Sequence, residues 1–272
     1  MKDKHLYLFF PQWQGSGRTN EIFHGAHALK DCIEIDFLKV KLSPNNHLHK
    51  KYDIFAFEQI LEQFRGCRKI IEKNSPDYIF TLGGDCGVEL APISYLNKKH
   101  KKLAVIWFDA HGDLNTPLSS PSKNFHGMPL RTLLGEGDQS IMKNIFSKLK
   151  PNQIFLTGCR DLDKEEKHFI KQKAITKFAI RNKNNKLLIN ELRLKGYKNI
   201  YIHLDLDVID PEDMPYVKCP VPRGISVKNL IQLINELKDN FKLCGGSICE
   251  FTGKNTKSVH YTVNILKALF GY

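Results

Sequence analysis

The chain has 272 residues, 42% of them hydrophobic, and a formal net charge of +12. That length and composition exclude bulk disorder and predict one domain spanning residues 1–272 with a sizeable core. The charge comes without a helix-turn-helix, zinc-finger or aromatic-interleaved basic motif, so lysines such as Lys98, Lys99, Lys101 and Lys102 read as a solvated basic surface and no nucleic-acid partner is expected.

The first β-rich run, HLYLFF (5–10), is stopped by Pro11 and reads as a strand, not an export signal. No apolar run approaches the ~18 residues of a membrane span. Seven cysteines without a CxxC pair point to a reducing, cytoplasmic compartment. WQGSGRTN (13–20) carries a lone GxG, too little for a phosphate loop, and reads as a strand-to-helix connection lining a cleft. Further β-rich runs are CIEIDFLKV (32–40), DYIFTL (77–82), LAVIWF (103–108), QIFLTG (153–158), NIYIHLDLD (199–207) and LCGGSICE (243–250). Helical patterns fill residues 57–74, 227–240 and 257–270; in the first, Ile60, Leu61, Phe64, Ile70 and Ile71 make an apolar face. RNKNNK (181–186) reads as a surface turn. Strands alternating with helices predict an α/β fold with a mostly parallel sheet covered on both sides.

Ligands of such sheets bind beyond the carboxyl ends of the strands, where the polar residues of this chain concentrate. TLGGDCGVE (81–89) turns on two glycines and then presents Asp85 and Cys86. DAHGD places Asp109, His111 and Asp113 two residues apart, on one side if the extended backbone persists. DLD adds Asp205 and Asp207, whereas Asp210 before Pro211 reads as a turn former and His203 as a half-buried strand histidine. Four converging carboxylates repel unless cations lie between them, so a metal site is expected. Carboxylates with an imidazole suit Mn²⁺ or a similar divalent ion, and five ligands suffice for two ions.

GGDCG, DAHGDLNTP, LDLDVIDP and the late strand ending in Glu250 resemble the ureohydrolase family of arginases, agmatinases and formiminoglutamases over residues 77–251. The resemblance implies a three-layer α/β/α, arginase-like fold, a cytoplasmic homo-oligomer (trimer or hexamer) and two divalent ions, usually Mn²⁺. It assigns one ion to Cys86, Asp109, Asp113 and Asp205, and the other to His111, Asp109, Asp205 and Asp207, with Asp109 and Asp205 bridging. Cys86 stands where the family has a histidine ligand. A thiolate there favours Co²⁺, Ni²⁺, Zn²⁺ or Fe²⁺, or leaves the first position partly filled. The implied reaction is attack of a bridging hydroxide on a guanidinium carbon, with Asp113 protonating the leaving amine and Glu250 holding the guanidinium.

The stretch DLNTPLSSPSKNFHGMPL (113–130) resembles the arginase branch in particular. Asn115, Ser122 and Asn124 match residues that receive a substrate α-carboxylate, and His126 matches a proton-relaying histidine. In CRDLDKEE, Asp163 matches the acid that meets the α-amino group, with Glu166 behind it. Lys123 occupies a position where arginases commonly have glycine. The implied substrate is a guanidino amino acid, L-arginine, giving L-ornithine and urea. The alternatives are a formiminoglutamase, another guanidino-acid hydrolase, or a catalytically weakened member with an incomplete metal site.

Overall fold

The β-rich runs and helical patterns alternate in the structure, a computed structural model that describes residues 3–44, 47–179, 185–254 and 256–271. In chain order the strands are β1 (His5–Phe10), β2 (Leu38–Lys39), β3 (Lys50–Lys51), β4 (Ile54–Phe55), β5 (Tyr78–Gly83), β6 (Leu103–Phe108), β7 (Ile154–Thr157), β8 (Thr176–Phe178), β9 (Asn199–Asp205) and β10 (Lys242–Cys249). The helices are α1 (Glu21–Lys30), α2 (Phe57–Asn74), α3 (Leu90–Lys99), α4 (Pro129–Leu133), α5 (Gln139–Met142), α6 (Lys164–Gln172), α7 (Asn185–Leu194), α8 (Val227–Asn240) and α9 (Thr256–Phe270).

Eight strands form one sheet in the order β2-β1-β5-β10-β9-β6-β7-β8, and every pairing in it is parallel. The small ribbon of β3 and β4 is antiparallel, as is an isolated bridge between Val217 and Phe251. Along β6, Leu103, Val105 and Trp107 pack into one apolar layer with Ile60, Phe64 and Ile71 of α2. Ala104, Ile106 and Phe108 pack into the other, with α8 and α9. Helices on both faces bury every residue of β5 and β6, which is why β6 is apolar throughout, β5 is apolar but for Thr81, and neither alternates. On α8 the buried residues are Leu230, Leu233, Ile234 and Leu237, a helical stripe. At ~1.5–3 kcal/mol for each side chain buried, that stripe outweighs the helix's modest intrinsic propensity. The result is the expected three-layer α/β/α fold.

Two expectations need correcting. Of residues 32–40 only Leu38 and Lys39 pair as strand, with Leu8 and Phe9. The run lies at the sheet edge with one neighbour, and Glu34 and Asp36 stay in solvent; short, charged edges resist further pairing. Residues 181–184 of the expected turn lie outside the described residues, and Asn185 and Lys186 begin α7.

The strand order positions the chemistry. Neighbouring β5, β10, β9 and β6 end side by side, delivering Asp85 and Cys86, Glu250, Asp205, and Asp109 to one edge. Gly84 explains the paired glycines: a Cβ there would collide with the carbonyl of Gln12, so only glycine lets β5 turn against the first strand's exit.

Candidate active site

The backbone leaves the extended conformation as soon as β6 ends. The Asp109 carboxylate accepts the His111 N–H at 2.6 Å, and Asp113 sits in the left-handed region at φ 52°. Despite that bend the three side chains of DAHGD converge: His111 and Asp113 each share a ligand group with Asp109 and line the same cavity. Asp109, His111 and Asp207 form one group of potential ligand atoms within 4.8 Å of one another, and Cys86, Asp109, Asp113 and His203 form a second. Asp205 joins Cys86 and Glu250 in a third.

His203 corrects the expectation of a half-buried strand histidine: it is fully buried and belongs to the Cys86 group. Asp205 accepts the Asp207 N–H at 2.8 Å and the Cys86 thiol at 3.3 Å. Asp207 accepts the Ala110 N–H at 2.9 Å, and its other oxygen lies 2.8 Å from His111 Nδ1.

Burial, then the charge of Asp109, pushes Asp113 well above the usual carboxylate range. Burial, then Asp207 and Asp109, does the same to Asp205. Asp207 is pushed up to about 6 by burial and Asp109, although His111 pulls the other way. Burial opposes the charge of Asp109, yet the His111 hydrogen bond and charge hold it at about 2. His111 is itself pushed up to about 12: burial disfavours its cation, but Asp109 and Asp207 outweigh that.

Such crowded anions call for positive charge. Asp113 Oδ2, Glu250 Oε2 and His203 Nε2 are buried with no hydrogen-bond partner, and all three belong to these groups. Unpaired buried acceptors are costly, so the residues fit divalent cations, which would take up those lone pairs and relieve the repulsion.

Above this floor opens a cavity of about 440 Å³. Asp113, Asp205, Asp207 and His111 line its base, with His126 and Glu250 beside them. Asn115, Ser122, Asn124, Asp163 and Glu166 line it as well. Cys86 and Asp109 lie buried among the ligand groups and do not line it. The expected site residues thus fall in this cavity or in the ligand groups, but Asp205, expected to bridge, shares no group with Asp109, His111 or Asp207.

His126 Nδ1 lies 3.3 Å from Glu250 Oε1, which also accepts the Cys86 N–H. Burial works against a charged His126, but Glu250 and then Asp85 raise its pKa overall. Asn115 donates to Asp163 at 2.7 Å and accepts from Ser119 at 2.8 Å. The Ser122 hydroxyl accepts the Asn124 N–H at 3.2 Å. Lys123 has φ 61°, a left-handed conformation that favours glycine, and its ammonium donates to the carbonyls of Pro117 and Leu118 instead of entering the cavity.

Asp163 and Glu166 form a capping box on α6, each accepting the other's backbone N–H at 2.9 and 3.1 Å. Glu166 also accepts the Leu114 N–H at 3.1 Å, and burial pushes it up to about 7. A wall-building arginine escaped the sequence reading. Arg160 donates to the carbonyls of Asp207 at 2.7 Å, Val221 at 2.6 Å and Pro222 at 2.9 Å, fastening loop 215–224 over the strand ends.

The sequence model of the arginase family matches residues 15–270. An arginase of Staphylococcus aureus (strain COL) is 34% identical over 212 residues, 74% of this chain and 69% of that protein. The arginase of Bacillus subtilis (strain 168) is 34% identical over 209 residues, with the same coverage of both chains. The crystal structure of Entamoeba histolytica arginase in complex with L-ornithine superposes with a TM-score of 0.88 and 26% identity, covering 100% of both chains. A match of this extent, on the fold and over the strand-end carboxylates described, means that the chain belongs to the arginase family and is a ureohydrolase.

Proposed function

We propose that the protein hydrolyses L-arginine to L-ornithine and urea, as one catalytic domain whose two apolar layers share a single sheet. The observation that carries this reading is Glu250: its Oε2 is buried, unpaired and set in the cavity beside the carboxylate groups. A planar guanidinium presents paired N–H donors to such a carboxylate, and the contact orients its carbon over the floor. Farther along the cavity, the neutral donors of Asn124 and Ser122 suit an α-carboxylate, while Asp163 with Glu166 behind it suits an α-ammonium. A substrate lacking the carboxylate would leave that loop unsatisfied.

Asp109, His111 and Asp207 would hold one divalent ion, for which Mn²⁺ is a suitable choice, and the Cys86 group would hold another. Ions bound there supply Lewis acidity and lower the pKa of water toward neutrality. In hydrolysis a water oxygen bonds the guanidinium carbon, and the bond from that carbon to the chain nitrogen breaks. The departing amine needs a proton. Asp113, within the Cys86 group, can take the proton that the attacking water loses and pass it to that nitrogen. His126, hydrogen-bonded to Glu250 and part-exposed, moves protons between the cavity and solvent.

The test is urea release from L-arginine and agmatine, and formamide release from formimino-glutamate, with Mn²⁺ or Co²⁺ added to chelator-treated protein. L-arginine should be preferred over agmatine by at least about tenfold, the equivalent of losing one charge-assisted contact. No urea from L-arginine with either ion overturns the proposal.

A further inference from the structure

We infer that His203 is a metal ligand, supplying from strand β9 the imidazole that Cys86 does not, and that Glu89 is the residue that positions it. The inference rests on the reading that the cleft floor binds divalent ions, and it goes beyond that reading by assigning two residues whose sequence context suggests only a packed strand and a helix start.

His203 is 0% exposed. It stands opposite Trp107 of β6 and Ser247 of β10, and its ring stacks on Trp107 at 3.7 Å, fixing the plane of the imidazole. Nδ1 lies 2.6 Å from Glu89 Oε1. Glu89, itself fully buried, also accepts from the Tyr201 hydroxyl at 2.7 Å and from Ser247. Three donors satisfy that carboxylate without a metal, and they lock the proton of His203 on Nδ1.

The other nitrogen then carries a lone pair. Nε2 has no hydrogen-bond partner; it lies 3.9 Å from Asp109 Oδ2, in the same ligand group as Cys86, Asp109 and Asp113. The simpler account is a buried His–Glu ion pair that merely packs the sheet. A cationic His203 would carry a hydrogen on Nε2 with Asp109 out of hydrogen-bond reach, leaving a buried charged donor unmet. A neutral imidazole with a lone pair directed among a thiol and two carboxylates has the arrangement of a ligand, with Glu89 as the carboxylate that sets its tautomer. Trp107 holds the opposite side of the group by donating to Asp109 Oδ2 at 3.0 Å.

The donor set is then one sulfur, one nitrogen and two carboxylate oxygens. It suits a borderline ion such as Zn²⁺ or Co²⁺, whereas the His111 group, with two carboxylates and no sulfur, suits a harder one. On this account Cys86 does not cripple the first position, because the position has a different imidazole.

The experiment counts ions in metal-depleted protein titrated with Co²⁺, and follows the absorbance of the complex. The parent should take up two Co²⁺ per chain and show a thiolate-to-metal charge-transfer band that disappears in Cys86→Ser. His203→Ala should lose one ion per chain and that band. Cys86→His in the His203→Ala background should regain the ion. Glu89→Gln should weaken that one position by about 10- to 100-fold. If His203→Ala does not fold, His203→Gln, which can still bond Glu89, replaces it with the same expectation. Retention of both ions and an unchanged spectrum in the His203 variant overturns the inference. Urea formation plays no part in this readout, so failure of the arginine reading and failure of the ligand assignment are told apart.

Discussion

Buried carboxylates in this cleft do unlike jobs, and their hydrogen bonds distinguish them. Asp109 belongs to two ligand groups, and its oxygens are aimed by the His111 N–H and the Trp107 indole. Glu250 uses Oε1 for Cys86 and His126 and leaves Oε2 free. Asp109→Ala should therefore release bound ions and abolish activity. Glu250→Gln should keep its ions and lose about 10- to 100-fold in kcat/KM, the effect of weakening a contact to a charged group by ~1.5–3 kcal/mol. Metal analysis beside steady-state kinetics checks both, and loss of an ion from Glu250→Gln would refute the assignment. Most of these residues were legible in the sequence because each strand-end motif packs several ligands into a few positions. His203 was not legible. In an apolar strand one histidine reads as packing, and its significance depends on Glu89, which is 114 residues away.

At the scale of elements, α6 offers the clearest separation of stability from binding. Asp163 caps the helix through one oxygen and holds Asn115 with the other. Asp163→Ala removes the cap and should cost ~0.5–2 kcal/mol of stability, as well as raising KM for L-arginine. Asp163→Asn keeps a capping oxygen but not the charge. Its melting temperature should stay near the parent's while KM still rises, and parallel melting and kinetic measurements would expose an Asn variant that falls in stability without a change in KM. The D-x-x-E signature of that cap was present in DLDKEE, though the resemblance drew attention to substrate contacts instead. Helices 57–74 and 227–240 were legible to the residue from their periodic apolar faces. The bend after β6 was not, because a left-handed aspartate at 113 follows from the ligands it must reach and leaves no local pattern.

The whole molecule's response to pH follows from the same crowding. A carboxyl whose folded pKa exceeds its unfolded value stabilises the fold at low pH, and that contribution is lost as pH rises through the folded pKa. Asp207 at about 6, and Glu166 and Asp85 at about 7, all start from ordinary values near ~4. Asp109 has the opposite sign, but its change is complete by about pH 4. His111, raised to about 12, adds a further loss above its ordinary range. Chelator-treated protein should therefore melt at a lower temperature at pH 8 than at pH 5. Added divalent ions should reverse the loss, by ~2.7 kcal/mol when free ion is one hundred times its Kd. A flat or rising melting temperature without ions would count against the crowded-anion account.

The position of β10 has a consequence for how the protein is made. β5 and β9 never touch as strands; β10 lies between them, and it is synthesised after every other strand of the sheet. Until residues 242–249 emerge, the growing chain can form only two half-sheets, β2-β1-β5 and β9-β6-β7-β8. Cys86 rides on the first half, Asp109, Asp207 and His203 on the second, and Glu250 leaves the joining strand itself. The buried acid Glu89 likewise waits on one half for Tyr201 and His203 from the other and for Ser247 from the strand between. The Cys86–His203 ligand group therefore comes into being only as the two halves close on the last strand, and a nascent chain short of that point has no such cation site to fill.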